Sequence, residues 1–206
     1  KKIKKKTIMN WISHWKKIGI KVKQILKKQP TGQEETDWKN CPQCKKISYL
    51  PDLITNSYIC ECSFHFDLPP KMRLDSLFDS SYEIIEAPEN INPDPLNFEV
   101  KEKYKYIDKI KKYREETGQK TALLCASGNI SNLSAVVICF NPKFGGGRFG
   151  PAENEHFLKV ANFAIQKKAD IWITIYQSSG IDVHTGVTGL VGMTKSIIAM
   201  NEVKKN

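Results

Sequence analysis

Three apolar runs in the second half of the chain have the length and composition of β-strands. Residues 121–128 (TALLCASG) and 134–140 (SAVVICF) are rich in β-forming residues and flank the polar stretch NISNL, so they predict a β-hairpin. Residues 169–176 (ADIWITIY) predict a further buried strand, followed by the small-residue turn QSSG. The sequence therefore predicts a sheet built from this half of the chain.

Apolar residues at helical spacing predict four helices around these strands. They lie around Lys71 to Phe78, around Tyr106, Ile110 and Tyr113 with a stop at Gly118, around Phe157, Val160, Ala161 and Ala164, and from about Thr185 to Met200. After residue 121 the order is hairpin, helix, strand, helix, which indicates an α/β core.

The last of these helices carries a glycine at every third position. Gly186, Gly189 and Gly192 each lower intrinsic helix stability by about 1 kcal/mol relative to alanine. A stripe of this kind usually permits close approach by another backbone. We therefore expect the turn at Ser178 to Gly180 and this helix to form a large apolar interface with a partner chain.

Composition separates three segments of the chain. Residues 1–37 are a basic amphipathic segment and linker, whose first 28 residues contain no acidic residue and place Trp11 and Trp15 on one helix face. Residues 38–68 hold a cysteine module, and residues 69–206 hold the α/β core. The basic segment carries much of the net charge of +10 and suits a membrane surface, an RNA or an acidic partner; alternatively it packs on the body. No apolar run approaches the ~18 residues that span a bilayer, so we expect a soluble protein.

Four of the six cysteines have the spacing of a zinc ribbon. Cys41 and Cys44 form C-x2-C, and Cys60 and Cys62 follow fifteen residues later as C-x-C. Two short cysteine turns can supply the four thiolates that a tetrahedral structural zinc requires. His65 lies close enough in sequence to be a substitute ligand. The alternative is four free or oxidised cysteines.

A glycine-rich loop, FGGGRFG, follows the second strand of the predicted hairpin. Gly145, Gly147 and Gly150 spell the G-x-G-x-x-G fingerprint of dinucleotide-binding folds. That fingerprint needs an acidic residue at the carboxyl end of the next strand, about 20 residues on. The candidate, Asp170, stands instead at the beginning of the strand, so the pattern disfavours a dinucleotide site.

The turn QSSG resembles the glycine-rich loop in its surroundings, because it also joins a strand to a helix. Backbone N–H groups at a helix start are unpaired and can hold an oxyanion. Two such turns, around Gly147 and Gly180, indicate a ligand that lies across both. His156 and His184 flank these turns, and we expect each to be a capping or surface residue.

The motifs, in their order and spacing, resemble those of the β subunit of acetyl-CoA carboxylase carboxyltransferase, in its bacterial and plastid multi-subunit form. The resemblance covers nearly the whole chain. It is carried by MNWI (residues 9–12), NCPQCKKISYLPDL (40–53), NPDPLNF (92–98), YIDKIKKYREETG (106–118), FGGGRFG (144–150), which matches F-x-G-G-S-x-G, and IYQSSGIDVHTGVTGLVGMTKS (175–196), which aligns on S-A-S-G-G-A-R-M-Q-E and the following helix.

The resemblance implies a crotonase-like fold of ββα units preceded by the zinc ribbon. It implies transfer of a carboxyl group from biotin on a carrier protein to acetyl-CoA, giving malonyl-CoA for fatty-acid synthesis. The implied partners are a biotin carboxyl carrier protein and either a carboxyltransferase α subunit or another crotonase-like chain, in a hetero-oligomer. The implied location is the plastid stroma or the bacterial cytoplasm.

The resemblance also implies roles for residues of the two turns. Gly146, Gly147 and Gly150 would form the substrate-binding surface, and Ser179 and Gly180 would be catalytic through their backbone. Gly146, Gly147, Ser179 and Gly180 would supply N–H donors to the developing oxyanions. No side chain is assigned as a general base.

Four positions depart from the family motifs. Ser179 replaces the first glycine of the Gly-Gly pair, Arg148 replaces a serine, Asp182 replaces an arginine, and Thr185 replaces a glutamate. The sequence given ends at Asn206, where the family continues, so the crotonase-like core is expected to be partial. Two hypotheses follow: a divergent carboxyltransferase subunit, or a catalytically degenerate component of a larger complex, which the charge reversal at position 182 and the missing third of the family's length favour. RNA binding through the ribbon and the basic segment is a third.

Overall fold

The computed structural model describes residues 37–100 and 104–206, which form two compact units divided after Phe66. The basic amphipathic helix that the sequence predicts, with Trp11 and Trp15, lies outside the described residues. Within the described ranges, no helix combines the length and the apolar character needed to cross a membrane.

The first unit is a small ribbon. β1 (Trp38–Asn40) pairs antiparallel with β2 (Ile47–Tyr49), and a short helix, α1 (Leu50–Thr55), follows directly. Farther along, a single antiparallel bridge joins Ile59 to His65. The two cysteine turns lie in the tight connections of these two pairings, which is what brings them together.

The second unit contains the helices and strands that the sequence predicts after residue 69, together with three two-residue strands and a 3₁₀ turn that it does not predict. In chain order they are α2 (Pro70–Leu77), β3 (Glu83–Ile84), β4 (Glu99–Val100), β5 (Tyr104–Lys105), α3 (Tyr106–Thr117), β6 (Leu123–Ile130), β7 (Leu133–Phe140), α4 (Pro151–Lys167), β8 (Ile171–Ile175), a 3₁₀ turn (Val183–Thr185) and α5 (Val187–Lys205).

A four-stranded sheet with the order β3-β6-β7-β8 forms the centre of this unit. The β6–β7 pair is the predicted hairpin, and its two turn residues, Ser131 and Asn132, both have the positive φ that a type I′ turn requires. β8 runs parallel to β7 and pairs Cys139 with Ile175 at its end. The predicted order of hairpin, helix, strand and helix is confirmed.

Both faces of the sheet are covered, because successive residues of β7 point to opposite sides. Val136, Ile138 and Phe140 belong to the cluster that packs against α4 and α5. Val137 and Cys139 belong to the cluster under α2. All eight residues of β7 except its first two are buried, which explains its almost uninterrupted apolar sequence.

Two helix ends show how far the sequence pattern determines the boundaries. α3 ends at Gly118, whose φ of 66° is the left-handed C-terminal conformation expected there. α5 begins at Val187 instead of Thr185, because residues 183–185 form a separate 3₁₀ turn capped by the Asp182 side chain. The helix also continues to Lys205, beyond the predicted end at Met200, and this last turn is largely exposed except for Val203.

The glycine stripe of α5 faces the body of its own chain. A Cβ on Gly192 would overlap the amide of Asn154 on α4, and a Cβ on Gly189 would overlap the Thr185 hydroxyl. The Asn154 amide donates to Gly150 O (2.9 Å) and accepts from Ser196 Oγ (3.0 Å), so it cannot easily move. The prediction that these two glycines accommodate a partner's backbone is therefore wrong: they accommodate α4 and the preceding turn.

His156 is also placed differently from the prediction of a capping or surface residue. It lies on α4, is buried, and its Nε2 is 2.8 Å from Ile85 O while its Nδ1 is 2.9 Å from Thr121 Oγ1. Since a carbonyl only accepts, Nε2 carries the proton and Nδ1 accepts from threonine. Burial lowers the pKa of His156, which keeps the ring neutral, and its role is to connect α4 to the sheet.

Replacing Gly192 by alanine should destabilise the second unit although alanine is the better helix former. The overlap with Asn154 costs about 1–3 kcal/mol and outweighs a propensity gain of about 1 kcal/mol. Urea denaturation of the full chain should show the loss. Thr194→Ala, on the exposed side of the same helix, should instead be neutral or slightly stabilising. A stabilised Gly192→Ala protein would contradict this packing.

Candidate functional site

Two turns meet at one edge of the sheet. β7 and β8 are parallel, so the glycine loop (residues 144–150) and the second turn (residues 176–182) both leave the sheet at its carboxyl edge. Ser179 N donates to Gly146 O (2.8 Å), Phe149 N to Gly180 O (3.0 Å) and Asp182 N to Phe149 O (3.1 Å). The turns therefore form one hydrogen-bonded unit, at the edge where α/β sheets commonly bind ligands.

Asp170 lies at the opposite edge of the sheet. It immediately precedes β8, and its carboxylate accepts from Ser134 N at 3.0 Å. It is thus separated from the glycine loop by the length of the strand, so Asp170 does not stand where the fingerprint requires its acidic residue.

The glycines of the loop permit the contact between the two turns. Gly147 is buried at a φ of 68°, and a Cβ there would overlap the carbonyl oxygen of Gln177. A Cβ on Gly146 would lie 2.8 Å from Ser179 Oγ. Gly180 is different: its φ is 109°, and nothing lies within 4 Å of the position that a Cβ would take. Open space therefore adjoins Gly180, whereas Gly147 is in contact with the second turn.

Most N–H groups of the predicted donors are already engaged. Gly146 N donates to Pro142 O (2.9 Å), Gly147 N to Phe144 O (3.0 Å), and Ser179 N to Gly146 O. Gly180 N donates to the side chain of Ser178, at 3.0 Å, on the exposed surface. Rotation about χ1 of Ser178 would release this N–H without breaking a backbone bond, so Gly180 is the donor that a ligand could reach most easily.

The start of α4 is closed by a carboxylate of the chain itself. Glu153 is fully buried, and its Oε2 accepts from Gly150 N while its Oε1 accepts from Ala122 N, both at 3.0 Å. This carboxylate occupies the position that an external anion would take at a helix N-terminus. Gly150 therefore serves as the cap of α4.

A buried charge cluster lies beneath the two turns. Arg148 Nη1 is 2.5 Å from Asp182 Oδ2, and Arg148 Nη2 is 3.6 Å from Glu153 Oε2. The Tyr106 hydroxyl donates to the same Asp182 oxygen, and the guanidinium lies over the rings of Tyr106 and Phe144. Asp182, the position of the charge reversal noted in the sequence, is therefore buried and paired within this chain.

His184 adjoins this cluster at the surface. Its Nδ1 lies 3.0 Å from Asp182 Oδ1, and its ring stacks on Tyr106 with centroids 4.2 Å apart. The edge of Phe98 also contacts it, at a centroid distance of 5.0 Å. His184 remains partly exposed, so Asp182 and two aromatic rings fix the orientation of an accessible imidazole.

The four ribbon cysteines form a candidate metal centre. Cys41 Sγ lies 3.6 Å from Cys62 Sγ, Cys44 Sγ lies 3.7 Å from Cys60 Sγ, and all four sulfurs lie within 4.8 Å of one another. Zn–S bonds of about 2.3 Å in a tetrahedron give S···S edges of about 3.8 Å, close to these values, whereas a disulfide is about 2.05 Å long. The cluster is compatible with zinc, and His65 does not belong to it.

The pKa values of Cys41 and Cys62 shift in opposite directions. Burial raises the pKa of Cys41, but hydrogen bonds, chiefly from the backbone N–H groups of Cys44 and Gln43, lower it to about 7. A backbone hydrogen bond from Phe64 lowers the pKa of Cys62, but burial and hydrogen bonds with the other three cysteines raise it to about 12. A thiolate is the form that binds a metal.

No family model matches the chain, but individual relatives do. It is 33% identical, over 96% of its length, to the protein named acetyl-coenzyme A carboxylase carboxyl transferase subunit beta from Pelagibacter ubique (strain HTCC1062), and covers 63% of that relative. It is also 33% identical, over 87% of its length, to the protein of the same name from Sulfurihydrogenibium sp. (strain YO3AOP1), and covers 64% of it. The chain thus spans somewhat less than two thirds of these curated relatives.

Solved structures support the fold. Over 65% of this chain and 23% of the other, the structure matches a crystal structure of transcarboxylase 12S with a TM-score of 0.51 at 16% identity. The predicted class, an α/β crotonase-like core with a small cysteine ribbon, is confirmed. The chain is accordingly a homologue of the acetyl-coenzyme A carboxylase carboxyl transferase beta subunits.

Proposed function

We propose that this chain acts as an acetyl-CoA carboxylase carboxyltransferase β subunit, or as the part of one that it spans, transferring a carboxyl group from carboxybiotin on a carrier protein to acetyl-CoA. The observation that carries the proposal is the 33% identity over 96% of the chain, which includes both turns of the candidate site. The product would be malonyl-CoA for fatty-acid synthesis.

The proposed chemistry requires stabilisation of negative charge on a thioester oxygen. Cleavage of the N–CO₂ bond of carboxybiotin leaves an electron pair on the biotin nitrogen, which takes a proton from the methyl carbon of acetyl-CoA. The carbon of the resulting enolate then forms its new bond to the released CO₂. A preorganised N–H donor facing the enolate oxygen lowers this barrier. Gly180 N–H is the proposed donor, with Ser179 beside it, and Gly146, Gly147 and Gly150 support the substrate surface through the backbone contacts described above.

The degenerate-component hypothesis has lost one of the two observations that favoured it. The charge reversal at Asp182 is compensated by Arg148 within the same chain, so it is not a mark of a decaying site. No other feature of the described residues points to loss of activity. We therefore propose carboxyltransferase activity as the function of this chain.

The working protein is proposed to be a hetero-oligomer with an α subunit or another crotonase-like chain and a biotin carboxyl carrier protein. The surface proposed for the crotonase-like partner is the outer face of α5, opposite its glycine stripe. It consists of side chains that are each more than half exposed: Val187, Leu190, Val191, Ile197 and Ile198. Five large apolar residues on one exposed helix face are typical of a protein interface.

The bacterial source of the two relatives favours the bacterial cytoplasm as the proposed location, with the plastid stroma as the alternative.

The basic segment of residues 1–28 is proposed to contact an anionic membrane surface or an RNA, and its charge is the only observation behind this proposal.

We further propose that the ribbon holds one structural zinc through Cys41, Cys44, Cys60 and Cys62. Cys44→Ser should remove the metal and unfold the ribbon, because binding free energy is folding free energy in such a module. Metal analysis of the purified chain measures this directly. His65→Ala is the matched control and should retain one zinc per chain. Metal well below one equivalent in the unmodified protein, or its loss in His65→Ala, would contradict the assignment.

Glutamate in place of Leu190 should prevent assembly with the crotonase-like partner. A buried, unpaired carboxylate at an apolar interface costs several kcal/mol, whereas α5 itself tolerates glutamate well. Copurification with the partner, measured by size-exclusion chromatography, should fall at least tenfold. Gln166→Glu, which adds the same charge to the exposed side of α4, should leave assembly unchanged. Normal assembly of Leu190→Glu would place the interface elsewhere.

The proposed donor can be tested through Ser178. Ser178→Asp adds a carboxylate that accepts the Gly180 N–H and repels an oxyanion, so transfer of ¹⁴C from carboxybiotin to acetyl-CoA by the assembled complex should fall about a hundredfold. Ser178→Ala frees the N–H and should retain activity. Ser80→Asp, on an exposed loop, controls for added charge. A complex with no transfer in any form would refute the proposed function, and full activity in Ser178→Asp would refute the donor.

A further inference from the structure

Arg148 and Asp182 contact each other although they lie far apart in sequence. Their side chains form an ion pair of 2.5 Å across 34 positions of sequence, with both side chains at most 6% exposed. We infer that Arg148 and Asp182 are a positioning pair that fixes the second turn on the glycine loop.

Burial makes either substitution alone costly. Glu153 Oε2 and Asp182 Oδ2 both approach Gly150, lying 3.2 and 3.3 Å from the position that its Cβ would take. Arg148 contacts both carboxylates, so its removal would leave two buried negative charges close together. An arginine at position 182 beside Arg148 would bring two buried positive charges together instead. Replacing both residues together, Arg148 by serine and Asp182 by arginine, would keep one cation beside the Glu153 carboxylate.

The pair acts at the junction of the two turns. Phe149 and Ile181 form a backbone bridge between the two turns. Arg148 directly precedes Phe149, and Asp182 directly follows Ile181. Asp182 N also donates to Phe149 O, and Asp182 Oδ1 accepts from His184 N, which lies in the 3₁₀ turn. The ion pair therefore fixes the position of the segment that carries Ser179 and Gly180 relative to the glycine loop.

The test is a double-mutant cycle on the full chain with Arg148→Ser, Asp182→Arg and the double variant. Each single variant should lower the folding equilibrium constant at least a hundredfold in urea denaturation. The double variant should return to within tenfold of the unmodified protein, because the arginine introduced at position 182 can then pair with Glu153. Hydrogen exchange of residues 177–182 should speed up at least tenfold in the singles and recover in the double. Amides of β6 exchange through global unfolding, so their exchange should change only as the global stability changes.

The control cycle exchanges the exposed pair Glu155 and Lys195 and should show less than threefold coupling. If either single variant does not fold, Arg148→Lys, Asp182→Asn and their double give the same cycle with smaller effects. Additive losses in the double variant, or unchanged exchange of residues 177–182 in the singles, would overturn the inference. It rests on the contact between the two side chains, so it can fail or hold independently of carboxyl transfer.

Discussion

The candidate site depends on a backbone contact between two turns that leave neighbouring parallel strands. Phe149 and Ile181 form this bridge, and the carbonyl of Gly146 extends it to Ser179. The contact is possible only because Gly147 has no Cβ where the carbonyl of Gln177 passes. The glycines of FGGGRFG are thus explained first by the approach of one backbone to another, and the open space beside Gly180 is where we propose that a ligand binds.

The buried charge cluster and two apolar clusters pack beneath the turns and support this contact. The sheet buries alternate residues of β7 on its two faces, which fixes the strand ends in space. Arg148, Asp182 and Glu153 then fill the region between the strand ends and the start of α4. A buried ion pair contributes little net stability, but it specifies one arrangement, since each charge requires its partner.

The sequence predicts those features that depend on local pattern. Strand runs, helical spacing and the C-x2-C turn identify the hairpin, the helix order and the cysteine cluster, because each signal lies within a few neighbouring residues. It does not predict which side of α5 faces inward, since glycines and exposed valines alternate on that helix. Nor does it predict the pairing of Arg148 with Asp182, because 34 residues separate two positions that only the turn contact brings together. The burial of His156 is unpredictable for the same reason: both of its partners are distant in sequence.

The central claim is that the two turns act as one ligand-binding unit. Titrating the ¹⁵N-labelled full chain with acetyl-CoA and following the amide signals of Gly146 and Gly180 tests it most directly. We predict that both signals shift together and give a single dissociation constant, with Gly180 shifting more because its N–H exchanges Ser178 for the ligand. Saturable shifts confined to one turn, or confined to the ribbon, would contradict the claim.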